Sequence, residues 1–347
     1  MVQTTETVLW NDSADPDELA RSIAFGAVGA TCNPVIAYTA IAGHPEVWVP
    51  RLRELAERYP TATESEIGWK AVERLSVEAA RLLEPAFEKY HGRNGRLSVQ
   101  TDPRLHRDAA ALVEQAVHFD SLAPNIIVKI PATRVGIEAI EEVTARGISV
   151  NATVSFTVAQ AMAVGEAVER GLARRRAEGG DTSWMGPVCT IMGGRLDDWL
   201  KQVIARDRTL VDPGILEWAG VAALKRAYAL YRERGFETRM LSAAFRNHLQ
   251  WSELVGGDLV VSPPFDWQLR IQQSALTAEP RIDVPVDPGI IEQLTAATPE
   301  FARAYEPDGM TVDEFESFGA SAVTLRQFLD ADAKLDALVR DVLVPAP

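Results

Sequence analysis

Residues 125–133 read Asn-Ile-Ile-Val-Lys-Ile-Pro-Ala-Thr, and this stretch decides the fold. Apolar residues flank a single lysine, Lys129, while Pro124 and Gly136 bound the run on its two sides. A short apolar run of this kind is typical of a buried parallel strand. Burial disfavours the ammonium form of lysine, so it lowers the pKa and makes a nucleophilic amine available. The stretch alone leaves two interpretations open: a chemically active lysine, or a lysine at a strand end whose head lies in solvent.

The composition of the chain limits the class of protein. The 347 residues are 47% hydrophobic and 24% charged, which is ordinary for a soluble globular protein with a full core. A formal net charge of −14 argues against nucleic acid or an anionic membrane as the main partner. An anionic substrate would therefore have to be bound locally by a few arginines.

The cysteines and the N-terminal segment indicate the compartment. Cys32 and Cys189 are too few for a disulfide framework. The first residues show no signal-peptide pattern, and no stretch is long and apolar enough to span a membrane. We therefore expect a cytoplasmic protein.

Other apolar stretches alternate with helical patterns along the chain. Besides the lysine strand, we predict strands at residues 7–10, 27–32, 97–101, 149–156, 188–192, 238–245 and 258–262. Eight strands that alternate with helices predict an α/β protein with a closed (β/α)8 TIM barrel. A doubly wound sheet would normally have a Gly-rich first turn, and this sequence has none.

We expect a single domain over residues 1–347, with the barrel at about residues 7–276. A helical insertion is predicted after the second strand, at about residues 35–90, and a C-terminal helical extension at about residues 287–344. The apolar pattern of this extension fits either a lid over the barrel or an interface in a homodimer.

Polar side chains cluster at the ends of the predicted strands, where (β/α)8 barrels place their catalytic residues. They are Asp12, Asn33, Gln100, Asp102, Lys129, Asn151, Thr153, Thr190 and Arg246. Amides, hydroxyls, a carboxylate and a lysine that face one lumen have the composition that imine formation requires. The five histidines show no spacing of metal ligands, so we expect neither a metal nor a cofactor.

Five motifs resemble those of the transaldolase family and follow in the family's order, over roughly residues 7–264. They are Thr-Cys-Asn-Pro at 31–34, Val-Lys-Ile-Pro-Ala-Thr at 128–133, Asn-Ala-Thr-Val-Ser-Phe at 151–156 with Gln160 and Ala161, Gly-Arg-Leu-Asp-Asp-Trp at 194–199, and Ala-Phe-Arg-Asn at 244–247. Each motif alone is weak, but five in order on successive strands are specific.

The resemblance implies a transferase that moves a dihydroxyacetone unit, as in the pentose phosphate pathway. The donor would be a ketose phosphate of the fructose 6-phosphate or sedoheptulose 7-phosphate type, and the acceptor an aldose phosphate. Lys129 would form a Schiff base with the ketose, Asp12 would exchange the proton of its C4 hydroxyl, and Thr153 would position a water. The substrate-binding residues would be Thr31, Asn33, Asn151, Thr190, Met192, Arg195, Ala244 and Arg246, with the two arginines on the phosphate.

Three positions depart from the family pattern. Gln100 stands where the family usually has glutamate, and an amide can orient water but cannot titrate. Asp102, on the same face, is one candidate for the missing carboxylate. Met192 stands where an aromatic residue is expected, and Ala244 replaces a serine that helps to hold phosphate.

Two other functions stay open at this point. A glutamine at position 100 is similar to the fructose-6-phosphate aldolase branch of the superfamily, whose members are lyases that release dihydroxyacetone to water. Chains of that branch are short, however, and lack the helical insertion. A barrel without turnover could also serve as a binding protein. Single residues have simpler explanations too: Asp12 could cap the following helix, Arg195 could pair with Asp198, and Arg246 could lie on the surface.

Overall fold

The computed structural model describes residue 1 and residues 4–345, and its strands form a closed parallel barrel in sequence order. The strands are β1 (Val8–Asn11), β2 (Ala27–Cys32), β3 (Arg96–Gln100), β4 (Ile126–Pro131), β5 (Val150–Thr153), β6 (Val188–Ile191), β7 (Arg239–Ala243) and β8 (Val260–Ser262). Strand β8 pairs with β1 and so closes the barrel. The predicted (β/α)8 fold is confirmed, and the lysine stretch forms β4, in which every residue is buried.

Helices follow the strands around the barrel. They are α1 (Pro16–Ala24), α2 (Pro34–Gly43), α3 (Pro45–Arg58), α4 (Glu64–Lys89), α5 (Ala109–Asp120), α6 (Arg134–Ala145), α7 (Val158–Ala177), α8 (Gly193–Asp207), α9 (Pro213–Leu216), α10 (Ala219–Arg234), α11 (Leu249–Ser252), α12 (Phe265–Gln273), α13 (Pro288–Ala297), α14 (Pro299–Tyr305) and α15 (Gly319–Leu343). Helices α2 to α4 are the insertion predicted after the second strand, and α13 to α15 are the predicted C-terminal helices. Among the described residues, no helix has the length and apolar character needed to cross a membrane.

The interior of the barrel is filled by side chains that alternate along the strands. Trp10, Ile127, Val188, Leu241, Ala243 and Val260 form one buried cluster, separate from the core between strands and helices. Gly29 is required beside it, because a Cβ atom there would lie 2.4 Å from the ring of Trp10. Lys129 lies two residues after Ile127 on the same face of β4, so its side chain stands above this apolar layer.

Most of the predicted strands differ from the structure by one to three residues at their ends. Strand β5 ends at Thr153 and not at Phe156, because Val154 has a φ of 50° and leaves the extended conformation. Helix α5 begins at Ala109, after a 3₁₀ turn at Pro103–Leu105. Asp108 caps it by accepting a hydrogen bond from the Ala111 backbone, at 3.0 Å.

The long C-terminal helix α15 lies at the carboxyl end of the barrel. It packs against α2, α3, α4, α8 and the 3₁₀ turn at Pro103–Leu105. Three of these elements follow directly after β2, β3 and β6. These contacts place α15 beside the carboxyl ends of β2, β3 and β6.

Candidate active site

Lys129 occupies the centre of the candidate site. It is 2% exposed, and its Cα pairs in register with Gln100 on β3 and with Asn151 on β5. Burial lowers the pKa of its amine, while the nearby charge of Asp12 acts in the opposite direction. This burial excludes the alternative of a lysine head in solvent and favours a nucleophilic amine.

Asp12 follows β1 and carries the carboxylate that acts electrostatically on Lys129. Its Oδ1 accepts a hydrogen bond from Oγ1 of Thr31 on β2, at 2.6 Å. The cap of α1 is Asp15, whose Oδ1 accepts from the backbone N–H groups of Asp17 and Glu18, both at 3.0 Å. Asp12 is therefore not used as a helix cap, and its carboxylate is held towards the lumen by Thr31.

Asn151 forms a fixed polar wall beside the lysine. Its Nδ2 donates to Oγ of Ser98 at 2.9 Å, and its Oδ1 accepts from Oγ1 of Thr190 at 2.8 Å. Asn33 is the cap of α2, where its Oδ1 accepts from the backbone of Ile36 at 3.0 Å. This orientation leaves Nδ2 of Asn33 as the donor that a ligand hydroxyl could use.

Thr153 and Met192 meet at the ends of β5 and β6. Oγ1 of Thr153 lies 3.8 Å from Sδ of Met192, and both side chains are buried. The backbone N–H of Met192 donates to the carbonyl of Ser155 at 2.9 Å, which ties the two strand ends together. The thioether gives this wall a flexible apolar side chain.

Arg195 and Arg246 form a cationic pair at the edge of the site. Burial lowers the pKa of Arg195, and the charge of Arg246 lowers it further. Nε of Arg246 donates to Oδ2 of Asp198 at 2.8 Å, so Asp198 pairs with Arg246 and not with Arg195. Two guanidinium groups that repel each other suit an anion such as phosphate.

Ala244 and Gly194 bring the loop after β7 close to the start of α8. Ala244 adopts a φ of 61°, in the left-handed region. A Cβ atom on Gly194 would lie 1.9 Å from the carbonyl oxygen of Ala244. Only glycine allows this approach, which brings Arg195 and Arg246 to the same edge of the site.

Asp197 is linked to the backbone of Arg246 through the side chain of Gln250. The sequence did not predict this hydrogen-bond network. Oδ2 of Asp197 accepts from Nε2 of Gln250 at 2.6 Å, and Oε1 of Gln250 accepts from the backbone N–H of Arg246. Burial raises the pKa of Asp197 well above its usual range. The local sequence gave no indication of this role beyond the acidic pair Asp197 and Asp198 beside a glycine-rich turn.

Helix α15 contributes residues that sequence reasoning also missed. Nη1 of Arg195 donates to Oγ1 of Thr324 at 3.2 Å and to Oε1 of Gln327, and its guanidinium lies over the ring of Phe328. Asp332, one turn further along, is 4% exposed. The signal that could have identified it is a charged residue on the apolar face of a long helix.

The predicted site residues lie at the carboxyl ends of the strands, in the turns that follow them or, for Arg195, in the first turn of α8. They are Asp12, Thr31, Asn33, Gln100, Lys129, Asn151, Thr153, Thr190, Met192, Arg195, Ala244 and Arg246. Asp102, the candidate for the missing carboxylate, instead accepts hydrogen bonds from Nε and Nη2 of Arg104, at 2.9 and 2.6 Å.

Comparisons with known proteins identify the family of the chain. The model of the transaldolase/fructose-6-phosphate aldolase family matches residues 9–317. A transaldolase of Thiobacillus denitrificans is 34% identical over 239 residues, which cover 65% of this chain and 64% of the relative. A protein named transaldolase 1 from Streptomyces avermitilis is 34% identical over 212 residues, which cover 59% of this chain and 54% of the relative. The matches thus span less than two thirds of the length of these curated relatives.

Proposed function

Because the chain belongs to the transaldolase/fructose-6-phosphate aldolase family, we propose that it transfers a dihydroxyacetone unit from a ketose phosphate to an aldehyde acceptor. The transferred unit would be held as an imine on Lys129. The observation that carries this proposal is a lysine of lowered pKa, 2% exposed at the end of β4, with the Asp12 carboxylate acting on it. The family match and the naming of several relatives as transaldolases support the same chemistry.

The reaction begins at the neutral amine of Lys129. Its nitrogen adds to the ketose carbonyl, and the resulting carbinolamine loses water to give a protonated imine. Gln100 is the partner of Lys129 on β3, and Thr153 lies two residues after Asn151, the partner of Lys129 on β5. Both side chains would hold the departing water. Nδ2 of Asn33 and the polar wall around Asn151 would bind the hydroxyls of the three-carbon unit.

Cleavage then requires one base, because the protonated imine accepts electrons. The Asp12 carboxylate takes the proton of the C4 hydroxyl, the bond between C3 and C4 breaks, and its electron pair forms an enamine. The aldehyde leaves, and the enamine attacks the acceptor aldehyde. Asp12 returns the proton to the new hydroxyl, and hydrolysis of the imine frees Lys129.

Arg195 and Arg246 would bind the terminal phosphate of donor and acceptor. Their guanidinium groups can form paired hydrogen bonds with phosphate oxygens. Ala244 removes one hydroxyl from this site, which weakens binding by about 1 kcal/mol, or roughly fivefold, relative to a serine. Two arginines still favour an anionic end group on the sugar.

The test is borohydride trapping with fructose 6-phosphate, followed by peptide mass spectrometry, beside a Lys129→Met control. We expect a reduced three-carbon adduct on Lys129 and none in the variant. An adduct with another ketose only would keep the imine chemistry but change the donor. No adduct with any ketose would contradict the proposal and favour a barrel that only binds.

A second measurement separates a transferase from a lyase. Free dihydroxyacetone is quantified with fructose 6-phosphate alone and again with an added aldose phosphate acceptor. A transferase releases little free dihydroxyacetone and depends on the acceptor for turnover. Continuous release without acceptor would instead indicate a lyase, the alternative that Gln100 favours.

A further inference from the structure

Gln100 has a side chain without partners in the middle of the site. It is 3% exposed, and neither Oε1 nor Nε2 forms a hydrogen bond within residue 1 and residues 4–345. Buried polar groups are normally satisfied by protein or by ordered water. An amide in this state, in register with Lys129, is therefore placed to hold a water or a polar part of the substrate.

Gln100 lines a small pocket between the barrel and α15. Cys32, Asn33 and Gln100 line it from the strand ends, and Asp332 and Leu335 line it from the helix. The pocket has a cavity volume of about 10 Å³, which is enough for about one water molecule. Asp332 and Gln100 thus line the same pocket.

Asp332 shares one cation with two other carboxylates. Nε of Arg104 lies 3.1 Å from Oδ2 of Asp332, Nη2 of Arg104 lies 2.6 Å from Asp102, and Nη1 lies 3.5 Å from Asp336. Burial raises the pKa of Asp332 to about 7, and the charges of Asp102 and Asp336 raise it as well. Arg104 and the indole of Trp69 on α4 act in the opposite direction. Asp332 can therefore give and take a proton near neutral pH, which the amide of Gln100 cannot do.

We propose that Asp332 is a positioning residue of the active site that exchanges protons with the water held by Gln100 during formation and hydrolysis of the imine. This inference rests on the proposed function of Lys129. In imine formation, the protonated Asp332 gives its proton through this water to the carbinolamine hydroxyl. The C–O bond breaks and water leaves, while the lone pair of the Lys129 nitrogen forms the C=N bond. The products are a protonated imine, a water molecule and the Asp332 carboxylate.

Hydrolysis of the imine reverses these steps and returns Asp332 to its protonated form. The Asp332 carboxylate takes a proton from the attacking water, whose oxygen bonds to the imine carbon. The acid–base group would thus come from the C-terminal helix and not from the strand that carries Gln100. Docking of α15 would then be needed for rapid turnover as well as for covering the site.

The experiment measures the rate of imine formation with fructose 6-phosphate as a function of pH, by rapid borohydride trapping. The variants are Asp332→Asn and, as a matched control, Asp336→Asn. Both residues lie on α15 beside Arg104, but Asp336 is not among the residues that line the pocket. We expect the wild-type rate to fall as the pH rises through about 7, because the acid form of Asp332 is consumed.

The Asp332→Asn variant should lose this fall and react at least tenfold more slowly at pH 6, with KM changed less than twofold. In the Asp336→Asn variant the rate of imine formation should still fall with rising pH, but at a lower pH, because Asp336 raises the pKa of Asp332. Adding Gln100→Glu to Asp332→Asn should restore much of the rate by placing a carboxyl directly beside Lys129. This rescue also shows that the variant is folded.

The outcomes separate this inference from the proposed function. If the wild-type protein forms no adduct on Lys129 with any ketose, the proposed function fails and this inference fails with it. If the wild-type protein forms the adduct while Asp332→Asn keeps the wild-type rate and pH profile, the role of Asp332 alone is overturned.

Discussion

Nη1 of Arg195 on α8 donates a hydrogen bond to Oγ1 of Thr324 on α15, 3.2 Å away and 129 positions later in the chain. Gln327 accepts from the same nitrogen, so the arginine proposed to bind phosphate is held by the C-terminal helix. Substrate phosphate would have to replace or join these contacts. The helix would thus take part in the proposed anion site.

Replacing Arg195 by lysine should weaken the binding of phosphorylated ketoses. A lysine ammonium is a single point charge and cannot form the paired hydrogen bonds of a guanidinium. Hydrogen bonds to charged groups contribute about 1.5–3 kcal/mol, so we expect KM for fructose 6-phosphate to rise roughly tenfold or more. Steady-state kinetics of Arg195→Lys measures this change.

The control for that variant is Arg206→Lys, on the exposed end of the same helix, where the arginine pairs only with Asp207 among the described residues. Its KM should stay at the wild-type value. Adduct formation from dihydroxyacetone, which carries no phosphate, should be the same in both variants. A loss of the dihydroxyacetone adduct in Arg195→Lys would mean that Arg195 acts on the lysine and not on phosphate.

The pH dependence of imine formation should report the buried amine of Lys129. Only the neutral amine attacks, and burial lowers its pKa, so the reactive form is present at a lower pH than for a free lysine. In the Asp332→Asn variant, which lacks the fall above pH 7 expected for the wild-type protein, the rate of adduct formation should therefore rise with pH and stop rising well below the ordinary pKa of lysine, about 10.4. Trapping with dihydroxyacetone from pH 5 to pH 10 provides the measurement. A rate that climbs steadily to pH 10 would contradict a desolvated lysine.

The sequence was sufficient to predict the barrel and the position of the lysine. Apolar runs such as residues 125–133 have few alternatives to a buried strand, and the pair Asp15 and Pro16 marks the start of α1 through local chemistry alone. Strand alternation also placed Gln100 and Lys129 on the lumen. These features depend on neighbours in the chain, which a sequence displays directly.

The contributions of α15 could not be predicted in the same way. Thr324, Gln327 and Asp332 reach the site only because α15 packs against α8 and the 3₁₀ turn after β3, and their local sequence does not show which residues they contact. The early end of β5 at Thr153 has a similar origin, since the left-handed Val154 belongs to the turn that brings Ser155 to Met192. Long-range packing decides both.

Replacing Gly194 by alanine should disturb both stability and the anion site. The new Cβ atom would lie 1.9 Å from the carbonyl oxygen of Ala244, so the backbone after β7 must move. Overpacking of this kind costs about 1–3 kcal/mol in the free energy of unfolding. We expect a lower midpoint in urea unfolding together with a higher KM for fructose 6-phosphate, because Arg246 lies in the displaced loop.

Gly43→Ala is the matched control for this steric argument. Gly43 ends α2, and a Cβ atom there would meet no neighbouring atom within 4 Å. Alanine favours the helix over glycine by up to about 1 kcal/mol, so this variant should be as stable as the wild-type protein or slightly more stable. Equal destabilisation in both variants would show that the contact with Ala244 is not the cause.

The stability of the protein should change with pH in a way that depends on Asp332. Its pKa is raised to about 7 in the folded protein, so between the pKa of the unfolded chain and pH 7 the folded state binds more protons than the unfolded state. The free energy of unfolding contributed by this residue therefore decreases as the pH rises through this window. Asparagine at position 332 cannot titrate and should abolish that contribution. Thermal unfolding at pH 5 and at pH 8 measures the difference in stability between the wild-type protein and Asp332→Asn. This difference should shift in favour of the variant at pH 8. The same difference at both pH values would mean that Asp332 does not titrate in this range, and would also remove the basis for its role in proton exchange.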